Sequence, residues 1–154
     1  MSSDEVASRD AFFGLSPIRR PRRLRLLPTR VWTAEQWHRI QRGHMAESME
    51  GHWCAFAEGD RVFLHRTWTG YGIYEATFEP FEGGFRIAEA VVETHWRRYA
   101  PVISRYAAQH YSVLLEGVLA SIAMEEWPAD LQQRSDEVQA LMTGANRRRW
   151  WRRK

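Results

Sequence analysis

Chemistry-bearing side chains are concentrated in twelve consecutive positions, 65–76, which read HRTWTGYGIYEA. An arginine can hold a phosphate or carboxylate through two parallel N–H donors. Aromatic rings stack on planar groups. The combination predicts a small, non-catalytic binding module for a phosphate-bearing planar ligand such as a nucleotide. Arg66 would hold the phosphate, and Trp68 and Tyr71 would stack on the ring. The full set of predicted ligand-binding residues is His65, Arg66, Trp68, Tyr71, Tyr74 and Glu75.

A purely structural interpretation of Arg66 is open at this stage. A hairpin with a two-residue loop at Gly70-Tyr71 would place Arg66 opposite Glu75, and opposed residues share a face of the sheet. On a buried face the two would form an ion pair, and Arg66 would be unavailable to a ligand. On an exposed face the pair would contribute little, and Arg66 could bind an anion.

A catalytic interpretation is the second alternative. A hydrolase or transferase would need His65, or the pair Glu47 and Glu50, as its general base. The spacing of Glu47, Glu50 and His52 fits no metal motif, so a solvated acidic connector is favoured there. The chain contains no GxGxxG, Walker A, HExxH or GxSxG motif, so neither a metal nor a cofactor is predicted. Cys54 lies between apolar neighbours and is expected to be an inert core thiol.

The charge distribution supplies a third alternative. Residues 19–30 carry six arginines and no acid, and residues 147–154 carry five arginines and one lysine. Residues 31–146 hold nine arginines and sixteen acidic residues, so their net charge is −7. Cationic ends with interleaved tryptophans favour nucleic-acid association through phosphate contacts and base stacking. Arginine outnumbers lysine 21 to 1, so a compositional bias of the genome is the competing explanation. The predicted nucleic-acid contacts are Arg19, Arg20, Arg22, Arg23, Arg147, Arg148, Arg149, Trp150, Trp151, Arg152 and Arg153.

The elements that must position these side chains follow from apolar periodicity. Thr33 and Gln36 have the spacing of a capping box, which predicts a helix from there to about Met45. Short strands joined by tight turns are predicted over 52–57, 61–68, 71–78 and 85–93. A long helix carries an apolar stripe from Ile103 to Ser121 and ends before Trp127. A shorter helix covers 129–142, with Gly144 as its C-terminal cap. The predicted fold is α+β: a four-stranded antiparallel meander with helices packed on one face.

Length and composition favour a single domain. The expected divisions are a basic, disordered arm over 1–30, the α+β domain over 31–145, and a basic Trp/Arg tail over 146–154. One cysteine excludes an internal disulfide, and a reducing, cytoplasmic location is expected. Neither a signal peptide nor an apolar run long enough to span a bilayer is visible.

The segment from about residue 29 to 93 resembles a small bacterial domain family. The resemblance rests on Met49-Glu50-Gly51-His52-Trp53, then Phe56, then VFLHRTWTG over 62–70, then Ile73-Tyr74. Thr67 stands where the family has serine, and His52 where lysine or arginine is commoner. The family is associated with ADP-ribose-processing modules of the macro and ADP-ribosylglycohydrolase types. The resemblance implies a pocket in this segment but does not imply a reaction. An ADP-ribosyl group is a candidate ligand for the binding module, and ADP-ribosylated substrates are the candidates for the catalytic alternative.

Overall fold

The described residues form three α-helices and a five-stranded antiparallel sheet. A computed structural model describes residues 7–8, 14–45 and 52–152; of residues 145–152 only the backbone is described. The elements in chain order are β1 (Pro21–Arg23), α1 (Ala34–Arg42), β2 (Trp53–Glu58), β3 (Arg61–Arg66), β4 (Gly72–Phe81), β5 (Gly84–Glu93), α2 (Ala107–Met124) and α3 (Ala129–Arg152). None of the helices in this part of the chain has the length and apolar character that crossing a bilayer requires.

The sheet has the strand order β1-β5-β4-β3-β2. Strands β2 to β5 form the expected meander, and the predicted α+β class is confirmed. The predicted number of four strands is wrong, because β1 comes from the segment expected to be an arm. Its three residues, Pro21 to Arg23, pair with Glu93 to Val91 of β5. A strand this short, and exposed at every position, has no apolar alternation by which sequence could reveal it.

One face of the sheet carries the main core. The register aligns Ala55, Leu64, Tyr74 and Val92 across four strands, so their side chains share that face. All four are fully or almost fully buried, in one cluster with apolar residues of α1 and α2. The next residues along each strand point to the opposite face.

Helix α1 begins with the predicted capping box. The Gln36 backbone N–H donates to Oγ1 of Thr33 at 3.1 Å, and the Thr33 N–H donates to Oε1 of Gln36 at 2.9 Å. One turn further on, Trp37 is buried with its ring centroid 4.4 Å from that of Phe78 and 5.3 Å from that of Phe85. The cap therefore fixes the start of the helix, and the tryptophan fixes its position on the sheet.

Three helix limits differ from the sequence expectation. Helix α1 ends at Arg42, three residues before Met45, with Gly43 at a φ of 78° as its C-cap. Helix α2 begins at Ala107, so Ile103 lies in the preceding loop and is 76% exposed. The apolar stripe continued into the loop because Val102 and Ile103 happen to match the helical spacing. Helix α3 continues past Met142 and through Gly144 to Arg152. A glycine within a helix costs only about 1 kcal/mol, and here it does not end the helix.

The opposite face is crossed by residues 14–20, which we call the strap. Its Ser16 N–H donates to the Gly70 carbonyl at 2.9 Å, and its carbonyl accepts from the Gly72 N–H at 2.8 Å. Gly70 has a φ of 73°, and a side chain there would collide with the Gly14 carbonyl. This glycine is therefore required both by the left-handed backbone and by the close approach of the strap.

A buried carboxylate fastens the end of the strap. Glu93 is fully buried, and its two oxygens accept the backbone N–H groups of Arg19 at 2.7 Å and Arg20 at 2.9 Å. The N–H groups of Thr94 and His95 donate to the same carboxylate, each at 3.0 Å. Burial alone would raise the pKa of Glu93, but these four hydrogen bonds outweigh it and lower the pKa below its usual value.

A second buried carboxylate ties the helices together. Glu116 of α2 is 1% exposed and accepts from Nε of Arg30 at 2.8 Å. Arg134 of α3 binds it through two nitrogens, at 3.0 and 2.6 Å, and both arginines also contact Asp130. The charge of Glu116 is thus matched by cations on two other segments, which fixes α2 against α3 and against the chain before α1.

Candidate ligand-binding cleft

The predicted pairing of Arg66 with Glu75 is wrong. Glu75 opposes Phe63, not Arg66, and the β3–β4 register shifts between Leu64 and His65. The connection is a four-residue loop, 67–70, closed by hydrogen bonds from the Arg66 N–H to the Tyr71 carbonyl and from the Gly70 N–H to the Arg66 carbonyl. Arg66 opposes Trp53 on the helix-bearing face, whereas Glu75 lies on the other face.

Arg66 is held by aromatic rings instead. Its Cζ lies 4.7 Å from the ring centroid of Trp53 and 5.7 Å from that of Tyr99. No carboxylate in the described part of the chain lies within ion-pair distance of it. Stacking fixes the plane of a guanidinium and leaves the N–H donors at its edge available.

Arg66 lines a cleft of about 460 Å³, which lies between the 67–70 loop and the segment that follows β5. None of the residues that line the cleft is acidic. They are Arg66, Trp68, Thr69, Arg98, Tyr99, Ala100 and Val102. Trp68 is 64% exposed at the rim, so one large ring is accessible to a ligand. The volume lies within the usual range of small-molecule sites, roughly 300–1,000 Å³.

Arg98 brings a second cation to the cleft and connects three segments. Its Cζ lies 4.5 Å from the ring centroid of Tyr71, and its Nη1 donates to the Pro17 carbonyl of the strap at 3.1 Å. Like Arg66, it has no carboxylate partner within the described ranges. The cleft therefore gathers two positive charges that no neighbouring acid neutralises.

The tyrosines beneath the cleft do not add negative charge. Burial raises the pKa of Tyr99, although the nearby Arg66 acts in the opposite direction. Burial also raises the pKa of Tyr74. Tyr99 and Tyr111 raise this pKa further, whereas Arg66 lowers it. The Tyr74 hydroxyl donates to the Tyr111 carbonyl at 3.0 Å. Both phenols remain neutral, and the field in the cleft is that of the two arginines.

The six residues predicted from the 65–76 stretch separate into three groups. Arg66 and Trp68 line the cleft, and Tyr71 supports it through Arg98. Tyr74 is fully buried below Arg66. His65 and Glu75 lie on the opposite face; His65 is 2% exposed, and its Nδ1 donates to the Gly70 carbonyl at 2.9 Å. The structure thus brings three of the six together around one cleft.

Among the catalytic candidates only His65 lies within the described residues, and it is not part of this cleft. His65 is separated from it by the sheet, and Glu47 and Glu50 lie outside the described residues. Burial raises the pKa of the Cys54 thiol to about 11, so it remains protonated. In the described part of the chain no group of three His, Cys, Asp or Glu side chains is arranged to hold a metal ion.

Several arginines of residues 19–30 make contacts that stabilise the fold. Arg19 and Arg20 give their backbone N–H groups to Glu93, Arg23 pairs with Glu89 at 2.7 Å, and Arg30 pairs with Glu116. Arg22 is an exposed residue of β1. The side chains of Arg147, Arg148, Arg149, Trp150, Trp151 and Arg152 are outside the described ones, as is all of Arg153.

No family model, curated protein or solved structure matches this chain. The resemblance to the bacterial domain family therefore remains a prediction, and the cleft has to be interpreted from its own chemistry.

Sequence reasoning missed Arg98 and Tyr99. Both follow β5, outside the glycine-rich hairpin on which the prediction concentrated. A signal for them was present: residues 94–115 contain three arginines and no acidic residue, in a body whose net charge is negative. An acid-free cationic stretch that is also rich in aromatic residues marks a candidate anion-binding surface.

Proposed function

We propose that the cleft binds a small ligand carrying a phosphate group and a planar ring, such as a nucleotide or an ADP-ribosyl group. The observation that carries this proposal is the pair Arg66 and Arg98. Both side chains line one cleft, both are stacked on aromatic rings, and neither has a carboxylate partner among the described residues.

The residues that line the cleft are suited mainly to binding an anion and, in addition, to stacking on a planar ring. Arginine edges present N–H donors in the geometry that phosphate oxygens accept. Trp68 offers an accessible ring face on which a base can stack. Because the guanidinium planes are fixed before the ligand arrives, less conformational entropy is lost on binding. The protein acts as a binding module in this proposal, since the cleft lining contains no residue suited to act as a general base near neutral pH.

Isothermal titration with ADP-ribose, NAD and mononucleotides tests the proposal. We expect dissociation constants below millimolar, inorganic phosphate as a weak competitor, and a loss of about tenfold or more in affinity for Arg66→Ala and for Arg98→Ala, since hydrogen bonds to charged groups contribute about 1.5–3 kcal/mol.

The matched control is Arg86→Ala. Arg86 also stacks on an aromatic ring, with its Cζ 3.8 Å from the centroid of Phe81, but it pairs with Glu79 at the far end of the β4–β5 hairpin. Its replacement should leave ligand affinity unchanged. If the wild-type protein binds none of these ligands with a dissociation constant below millimolar, the proposal is refuted.

A further inference from the structure

Seven of the nine arginines of residues 31–146 fall into two groups according to their partners. Three of them, Arg39, Arg86 and Arg134, form ion pairs with carboxylates. Four others, Arg66, Arg97, Arg98 and Arg105, each contact an aromatic ring and have no carboxylate partner in the described part of the chain. Three of these four lie on one loop, residues 94–106, which we call the platform loop.

The platform loop extends the cleft outward. Arg98 and Tyr99 line the cleft, and immediately before them come Trp96 and Arg97, both exposed. The Arg97 Cζ lies 5.0 Å from the ring centroid of Trp96, whose side chain is 64% exposed. A single guanidinium covers only part of such a ring, so a large aromatic surface next to a cation remains accessible.

The far end of the loop repeats the arrangement. The Arg105 Cζ lies 5.1 Å from the ring centroid of Tyr106, and Arg105 is exposed. The cleft and the loop thus present alternating cations and rings on a body whose other charges are mostly acidic. Proteins that bind single strands combine these two features: cations that follow the phosphates and rings on which bases stack.

We propose that the cleft and the platform loop together bind a single-stranded nucleic acid. Arg66 and Arg98 hold the phosphate of one nucleotide, a neighbouring base stacks on Trp96, and Arg97 and Arg105 contact further phosphates. The inference rests on the proposed function for its first nucleotide and goes beyond it by assigning a polymeric ligand and a second contact surface. It also places binding on the folded body, not on the arginine-rich ends.

A single strand fits this surface better than a duplex does. In a duplex the base faces are stacked on one another and unavailable to Trp96 or Trp68, whereas a single strand exposes them. Charge complementarity is supplied by four arginines that no carboxylate in the described chain neutralises.

The test uses the full chain and fluorescently labelled oligothymidylates, from a single nucleotide to about 12 nucleotides. Fluorescence anisotropy should show affinity rising by about tenfold or more with length and then levelling off when the platform loop is covered. A duplex of the same length should bind more weakly than the single strand at equal salt. Titrations at several salt concentrations give the number of phosphates contacted, with a log–log slope of about −0.7 per phosphate on a single strand.

Two variants locate the binding surface. Trp96→Ala should weaken oligonucleotide binding by about tenfold and leave mononucleotide binding unchanged, because base stacking on one ring is lost. Arg97→Ala should reduce the salt slope by about 0.7, which is one phosphate contact. Arg86→Ala, again the matched arginine–aromatic control, should change neither quantity.

The outcomes separate this inference from the small-ligand proposal. If mononucleotides bind but longer strands bind no more tightly, the inference is overturned and the proposed function stands. If strands bind in a Trp96-dependent way while mononucleotides do not bind, the small-ligand proposal is lost and the strand-binding surface stands. Strand binding that neither Trp96→Ala nor Arg97→Ala affects would place it elsewhere, and equal duplex affinity would exclude base stacking; either result overturns the inference. Trp96-dependent binding to phosphatidylserine vesicles without oligonucleotide binding would also overturn it, in favour of a membrane surface.

Discussion

The guanidinium of Arg98 lies over the ring of Tyr71, with Cζ 4.5 Å from the ring centroid, and donates to the Pro17 carbonyl at 3.1 Å. One side chain thereby connects the strap, the start of β4 and the segment after β5. These segments are far apart in sequence, and they meet at the cleft. Ligand binding should therefore depend on residues that do not touch the ligand.

Tyr71 offers the most direct test of that dependence. Tyr71→Ala removes the ring that supports Arg98, whereas Tyr71→Phe keeps an aromatic face. A partly exposed cation–π contact contributes about 0.5–1 kcal/mol, so Tyr71→Ala should weaken ligand binding by about two- to fivefold and Tyr71→Phe should bind normally. Titration calorimetry measures both variants. Equal losses in the two would show that the hydroxyl, not the ring face, is what matters.

Glu75→Ala tests the separation of Glu75 from Arg66. Because the two side chains lie on opposite faces of the sheet, the substitution should change the free energy of unfolding by no more than about 0.5 kcal/mol. Ligand affinity should also be unchanged. Thermal melts followed by circular dichroism measure the first quantity. A drop of several degrees would indicate that Glu75 stabilises a buried cation after all.

Glu93 should make stability depend on acid pH. Its pKa is lowered in the folded protein, so its contribution is complete above the unfolded value, about 4.3, and is lost as the pH falls through the lower folded value. Glu93→Gln removes the charge and should cost about 2 kcal/mol at neutral pH.

Urea denaturation of wild type and Glu93→Gln across the acid range checks this expectation. The difference between the two proteins should be constant near neutrality and shrink below about pH 4. A difference that stays constant at every pH would mean that the variant acts through packing and not through the carboxylate charge.

Glu116 and Glu89 each form an ion pair with arginine, one buried and one exposed, and their substitutions can be compared. Glu116 is 1% exposed between two arginines, and its replacement by alanine leaves both cations without their main partner. We expect a loss of about 3 kcal/mol, the lower limit for breaking a buried pair, because Arg134 is partly exposed.

Glu89→Ala is the control for that substitution. Glu89 pairs with Arg23 at 2.7 Å, but both side chains are more than half exposed, so its loss should cost about 0–1 kcal/mol. Chemical denaturation of the two variants gives both values. Similar losses would contradict the distinction between a buried and an exposed ion pair.

The sequence is sufficient to predict those elements of the fold that depend on contacts between residues close together in the chain. The capping box at Thr33 and Gln36 lies within four residues, and the meander strands show turns at short, regular spacing. The structure confirms the capping box, the meander and the α+β class. Periodicity alone could not exclude Ile103 from the helix, since apolar residues in a loop can match helical spacing by chance.

Features that depend on contacts between distant residues could not be predicted from the sequence, for identifiable reasons. The register that separates Arg66 from Glu75 depends on one bulge and a four-residue loop, and a change of one residue in register exchanges the faces of the sheet. Strand β1 and the strap are held by contacts across 73 and 74 residues, from Arg20 and Arg19 to Glu93. Arg98 donates to the Pro17 carbonyl of the strap, so its position in the cleft also depends on those long-range contacts.

The strap also has a consequence for how the molecule folds. The strap and the adjoining strand β1 precede the meander in sequence, yet they bind β5 and the β3–β4 loop, so they can dock only after the meander exists. Closing a loop of this length costs entropy before any contact compensates for it, and contacts distant in sequence slow folding. A three-residue exposed strand offers little early stabilisation. The meander and helices should therefore form first and the strap last, and because Arg98 depends on Pro17, the capacity to bind a ligand should be the final property that the folding chain acquires.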